Sequence, residues 1–255
     1  MRQFLALFFV AALATVGVAA DTSDAIPAQG GDIQLTPIMR ASVQVEFGGK
    51  VIQVDPIAKY DNVEIPYVGK FEALKPADLI VISDIHADNF DADEVLKLRK
   101  PGATVVMPSA VAAAAGSKIA PPTIVMGNGD MKTVGDISIE AVPMYNVQHG
   151  PKPGELYHPK GRGNGYILTL GGKRLYFMGD TECTPEVRAL KNIDVAFVPM
   201  NMPFTMTPAD AVECVTNMQP KIAYPYHYEG QRRDETLFRA FLKNTPVEVR
   251  INTKG

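Results

Sequence analysis

The sequence predicts an α/β (α+β) fold: two β-sheets face each other and helices cover their outer sides. Three observations lead there. Each half of the chain reads as strands first and helices after, which two stacked sheets with helices outside would satisfy. Two passages, SVQVEFGGKVIQVD (42–55) and GYILTLGGKRLYFMGD (165–180), repeat one order of strand, GGK turn, strand and terminal aspartate. The run ADLIVIS (77–83) is mostly apolar, as expected of a strand buried on both faces.

The elements follow in order. Residues 1–20, MRQFLALFFVAALATVGVAA, read as a secretory signal peptide. Arg2 is the charged start, LALFFVAALATVGV the apolar segment, and Val18-Ala19-Ala20 the small-residue cleavage site after Ala20. This places the mature protein outside the cytoplasm, secreted or periplasmic. Residues 21–32, DTSDAIPAQGGD, are polar and rich in turn formers and read as a flexible start. A single domain is expected over 33–255. Strands are predicted at 33–39, 41–47 and 51–56, with a Gly48-Gly49 turn between the last two. After 77–83, the segment DADEVLKLRK (91–100) is a helix, with Asp91 three residues before Glu94 as its cap. ATVVMP (103–108), PTIVMG (122–127) and DISIEAVP (136–143) are strands, and SAVAAAAGSK (109–118) is a short helix ending near Gly116. The second half restarts with the 165–180 hairpin. Then come a helix at 184–190 with Thr184 as cap and Pro185 in its first turn, a strand at 194–200 and a capped helix at 207–218. A strand at 221–228, a helix at 234–244 and the segment PVEVRI close the chain.

Composition narrows the class. Without the leader, 235 residues carry 24 basic and 28 acidic side chains, a net charge of −4. Such a chain has no electrostatic footprint for nucleic acid. No segment after the leader has about 18 consecutive apolar residues, so no membrane span is expected in the mature chain. Cys183 and Cys214 fit either a disulfide or two small buried side chains.

The chemistry concentrates at strand ends. SDIHADNFD (83–91) packs Asp84, His86, Asp88, Asn89 and Asp91 into nine residues after an apolar strand. Asp55, Asp180 and His227 end three other strands. Strand-end loops on a rigid sheet are where sites are commonly built. Of the four histidines, His86 and His227 stand at such places. His86, Asp88, Asp180 and His227 are read as metal ligands, with Asp84 assisting; imidazole with carboxylate suits Zn, Mn or Fe. Asp55 and Asp91 read as turn and cap residues, and His149, in VQHGPKPG, as a solvated loop residue.

LTPIMRAS, EFGGKVIQVDP, IVISDIHADNFD, YFMGDTE and YPYHY, in that order, resemble the metallo-β-lactamase-fold metal-dependent hydrolase superfamily. The likeness is nearest to the branch of ascorbate-6-phosphate lactonase and N-acyl-phosphatidylethanolamine phospholipase D. It implies a four-layer αββα sandwich with the metal site at one edge between the sheets. The family's His-x-His-x-Asp-His falls on Asp84, His86, Asp88 and Asn89, and its next histidine on Asn146. Three of seven ligand positions therefore differ. The expectation is one or two divalent metal ions and a metal-activated water that cleaves an ester, lactone, amide or phosphodiester bond of a small-molecule substrate. The alternative is a non-catalytic metal- or ligand-binding protein that keeps the fold. Asp88 would orient the water or take its proton. In LYHPKGRGNGY (156–166), His158 would be a substitute ligand or general acid, and Lys160 or Arg162 would hold an anion. Tyr145 is a further catalytic candidate, and Asn146 and Asn89 are candidates for substrate contact.

Overall fold

The computed structural model describes residues 24–57, 74–228 and 232–251. The expected leader and cleavage site lie outside the described residues. Sheet one runs β1 (Asp24–Ala28), β2 (Gly31–Met39), β3 (Ser42–Phe47), β4 (Lys50–Val54), β5 (Ala77–Val81), β6 (Arg99–Met107) and β7 (Thr123–Val125) in spatial order. Sheet two is β8 (Met131–Val134), β9 (Ile137–Met144), β10 (Gly163–Leu170), β11 (Lys173–Phe177), β12 (Val195–Pro199), β13 (Ile222–Tyr226) and β14 (Glu248–Val249). Each sheet is antiparallel through its first four strands and parallel through the rest.

The repeated GGK passages form matching hairpins. Gly48 and Gly49 have φ 57° and 75°, and Gly171 and Gly172 have φ 50° and 75°. A two-residue hairpin loop with both central φ values positive matches the twist of its strands, and glycine enters that region without steric cost.

Alternation along the strands builds three apolar layers. Leu79 and Val81 of β5, with Val195 and Phe197 of β12, face the space between the sheets. There Phe177, Phe197 and Tyr224 stack with centroids 4.8 and 4.9 Å apart. Ile80 and Ile82 point the other way, toward helices α1 (Ala92–Leu98) and α2 (Ser109–Ala115). Ala196 and Val198 likewise face α3 (Pro185–Ala189), α4 (Pro208–Met218) and α5 (Arg232–Leu242). The layers are therefore helix, sheet, sheet, helix. Asp91 caps α1 by accepting from Asp93 N and Glu94 N, as the sequence suggests.

One expectation is corrected. Residues 24–28, expected to be a flexible start, form β1 against β2. Ile26 supplies the reason: it is buried in the inter-sheet core, and Pro27 is tolerated because β1 is an edge strand. Cys183 and Cys214 form a disulfide with Cα atoms 5.3 Å apart, which settles the open alternative and ties the start of α3 to α4. Among the described residues, no helix is long and apolar enough to cross a membrane.

Candidate metal centre

The parallel strands β4, β5, β11 and β13 bring their carboxyl ends to one edge of the sandwich. Asp55, Ser83–Asn89, Asp180 and His227 leave from those ends, and the β9–β10 connection adds His158. Two donor groups result. Asp84, His86, His158 and Asp180 each offer an atom within 4.8 Å of the others, and so do Asp88, Asp180 and His227. Asp180 belongs to both groups. The structure thus gathers every residue read as a ligand and adds His158, whose Nε2 lies 3.2 Å from Asp180 Oδ2.

The backbone is bent to achieve this. His227 has φ 49°, an uncommon conformation for a non-glycine residue and one that clusters at functional sites. Its N–H donates to Arg40 O at 2.9 Å, which fixes it against the loop after β2. Gly163 is required for close approach. A Cβ there would run into Met144 Cε and sit 2.8 Å from Ser83 O and 3.1 Å from Asp84 Oδ1. The neighbouring Asn164 N–H donates to Ser83 O at 3.0 Å and links the two sheets at the site.

The donors pair with one another, imidazole against carboxylate. His227 Nδ1 is buried 2.6 Å from Asp180 Oδ1 yet makes no aligned hydrogen bond, and its Nε2 lies 3.0 Å from Asp88 Oδ2. Burial opposes charge on His227, but Asp180 and Asp88 outweigh it and push the imidazole up to about 10. Burial would likewise raise Asp180; His227 and His158 instead hold it well below the usual carboxylate range. Three imidazoles and three carboxylates converging on shared space fit a divalent cation, which would neutralise the carboxylates and take up the orphaned nitrogen. His86 is the accessible member, with 42% of its side chain exposed.

Several expectations need correction. Asn89 is fully buried and touches no outer surface. The orientation that satisfies both ends of its amide has the nitrogen donating to Asp180 Oδ2 (3.2 Å) and Asp88 Oδ1 (3.3 Å), with the oxygen accepting from Ser83 Oγ. All of these amide contacts are within the protein, to two carboxylates and a hydroxyl. Asp55 lies beneath it, with Oδ2 2.6 Å from Ser83 Oγ, and burial pushes its carboxyl up to about 7. The protonated acid can donate to Ser83 Oγ, whose own hydrogen then serves Asn89.

Arg162 holds no free anion site. Its Nε and Nη2 donate to Asp84 at 3.1 and 2.8 Å, and its Nη1 donates to Tyr157 O. Asp84 in turn lies 3.1 Å from His86 Nδ1. Lys160 pairs with Glu186 at 2.5 Å and lies over the Tyr145 ring. The Tyr145 hydroxyl donates to Glu186 at 2.8 Å rather than into the donor group. His158 is 1% exposed, as buried as His227 beside it. Asn146 is buried, with its amide committed to Glu182, Phe204 and His158. His149 is partly buried rather than solvated, with Nδ1 2.7 Å from Thr205 O and 3.0 Å from Glu182 Oε1.

Sequence reasoning passed over Glu182. Its signal was its place two residues after Asp180, in the segment that the Cys183 disulfide holds.

Comparison with known proteins places these features in context. Residues 34–227 match the sequence profile described as a beta-lactamase superfamily domain. A protein named UPF0173 metal-dependent hydrolase from Aeropyrum pernix is 30% identical over 235 residues, covering 87% of this chain and 95% of that one. One of the same name from Opitutus terrae is 32% identical over 193 residues, covering 71% and 81%. The crystal structure of a protein assigned as a metal-dependent hydrolase from Parabacteroides distasonis superposes with a TM-score of 0.78. It shares 34% identity and covers 90% of this chain and 97% of its own.

Proposed function

This chain belongs to the beta-lactamase superfamily, and from that premise we infer that it is a metal-dependent hydrolase with two adjacent cation positions that share Asp180. One observation carries the reading. The histidine lacking at position 146 is made up by His158, so one group offers two imidazoles and the Asp180 carboxylate with Asp84 beside them, and the other offers one imidazole and two carboxylates. A donor set of that size favours a hydrolase over a protein that kept only the fold. Bound divalent cations would supply Lewis acidity, polarising the substrate oxygen and lowering the pKa of a water toward neutrality.

The side chains divide the remaining work. Asp88, at the edge of the buried set with 8% exposure, takes the proton of the attacking water. Arg162 neutralises Asp84, which leaves Asp84 to orient His86 through Nδ1. Asn89 keeps Asp180 and Asp88 turned toward the shared space. The scissile bond is an ester, lactone, amide or phosphodiester of a small molecule that approaches past His86. Zn, Mn and Fe all suit the imidazole–carboxylate mixture. The leader-like first twenty residues and the Cys183–Cys214 disulfide support export to an oxidising compartment.

The test is reconstitution of the purified protein with Zn, Mn or Fe, followed by a panel of chromogenic esters, lactones, amides and phosphodiesters. Turnover of at least one class is expected, with loss in His86→Ala. Failure to retain any of the three metals would overturn the reading.

A further inference from the structure

The position at which the family resemblance implies a histidine ligand is held by Asn146, and the imidazole that reaches Asp180 comes from His158, twelve residues further on. The structure shows what joins the two. Asn146 Nδ2 donates to Glu182 Oε1 at 2.9 Å and to Phe204 O at 2.8 Å. Both hydrogens of the amide are therefore committed to oxygen acceptors, and Oδ1 is fixed as an acceptor. That oxygen receives His158 N–H at 2.7 Å and faces His158 Nδ1 at 2.7 Å. His158 Nδ1 must then carry a proton, which leaves Nε2, facing Asp180, as the ring nitrogen that a cation can take.

Glu182 is anchored in turn. Its carboxylate accepts from three consecutive backbone N–H groups: Val147 (3.0 Å), Gln148 (2.9 Å) and His149 (2.7 Å). It is 5% exposed, and Asn146 is fully buried. A buried carboxylate held by so many donors is a rigid base for the amide that it orients.

We propose that Glu182 and Asn146 are positioning residues that fix the tautomer and direction of His158 and so deliver it as the relocated imidazole of the first cation position. The proposal rests on the two-position reading above. Groups that orient a ligand's other ring nitrogen carry about 10- to 100-fold in metal affinity.

The experiment counts ions by equilibrium dialysis with elemental analysis. It also titrates each position against a chromophoric chelator, and records the visible spectrum of the Co(II)-substituted protein. Asn146→Ala should weaken one ion by about 10- to 100-fold, leave the other unchanged and alter the Co(II) bands of the weakened position. Glu182→Gln, which keeps the shape of the side chain, should weaken the same ion by a smaller factor. His158→Ala should lose that ion, and adding Asn146→Ala to it should change nothing more. If His158→Ala loses an ion while Asn146→Ala and Glu182→Gln hold both at wild-type affinity, the positioning proposal is refuted and the two-position reading stands. If His158→Ala itself holds both at wild-type affinity, the two-position reading fails and takes the proposal with it. Thermal unfolding identifies folded variants; should Asn146→Ala not fold, the Glu182→Gln titration decides.

Discussion

Removing the disulfide should expose how much of the molecule depends on it. The perturbation is Cys183→Ala with Cys214→Ala, or reduction of the wild-type chain. Cys214 is fully buried in the apolar layer beneath α4, so alanine is preferable to serine, which would bury a hydroxyl there. The bridge closes a loop with a sequence separation of 31. Loop-closure entropy for that span is about 12 cal/mol/K, or about 3.5 kcal/mol at 25 °C. For a chain of this length, each kcal/mol shifts Tm by about 2–4 °C, so the midpoint should fall by about 7–14 °C. Calorimetry or far-UV circular dichroism on oxidised and reduced protein measures it. The affected segment, Thr181 to Thr184, adjoins Asp180 and includes Glu182, so ion affinity should fall in the same samples. A Tm shift below about 2 °C would refute the loop-closure reasoning. Unchanged ion affinity would refute the link to the site.

Further outcomes follow from the same geometry. Arg162→Gln leaves Asp84 buried without its cation and should cost about 3 kcal/mol in chelator-treated protein, with less lost when metal is present; denaturant melts with and without metal compare the two. Gly163→Ala forces Ser83, Asp84 and Met144 apart, so ion binding should drop while far-UV circular dichroism stays native. Asp55 gives a pH test with a definite sign. Its raised pKa means that the native state keeps a proton the unfolded state has released, so stability falls as pH climbs from about 3.8 to about 7. Asn at 55 mimics the protonated acid, so the gap between Asp55→Asn and wild type, both chelator-treated, should widen in favour of the variant from pH 5 to pH 8. A constant gap would count against this account of Asp55.

The fold was largely legible because its strands carry their own periodicity and its turns their own chemistry. The paired GGK turns marked two hairpins, and ADLIVI marked a strand buried on both sides. β1 escaped because Ile26 is its one buried hydrophobic residue, amid DTSD and QGG. The site was legible where residues leave parallel strands directly: His86, Asp88, Asp180 and His227 stand at strand ends, and a strand end fixes position. Loop residues could not be assigned in this way. Arg162 and Asn146 looked free because nothing local says that Asp84, 78 residues away, or Glu182, 36 residues away, will meet them. Hydrogen-bond partners of that kind are settled by tertiary contact, which periodicity does not encode.

The matching hairpins carry one more consequence. Each half of the chain brings its own carboxylates to the shared edge: Asp84 and Asp88 from the first, Asp180 from the second. Along the rest of the seam the halves adhere through apolar side chains, but at this edge they meet through a buried cluster of carboxylates and imidazoles. A divalent ion held there would act as a rivet between two half-molecules as well as a reagent. Chelation should therefore be felt first as a loosening of the seam, with amide exchange quickening at Ser83, Asn164 and His227 while the outer helices stay protected.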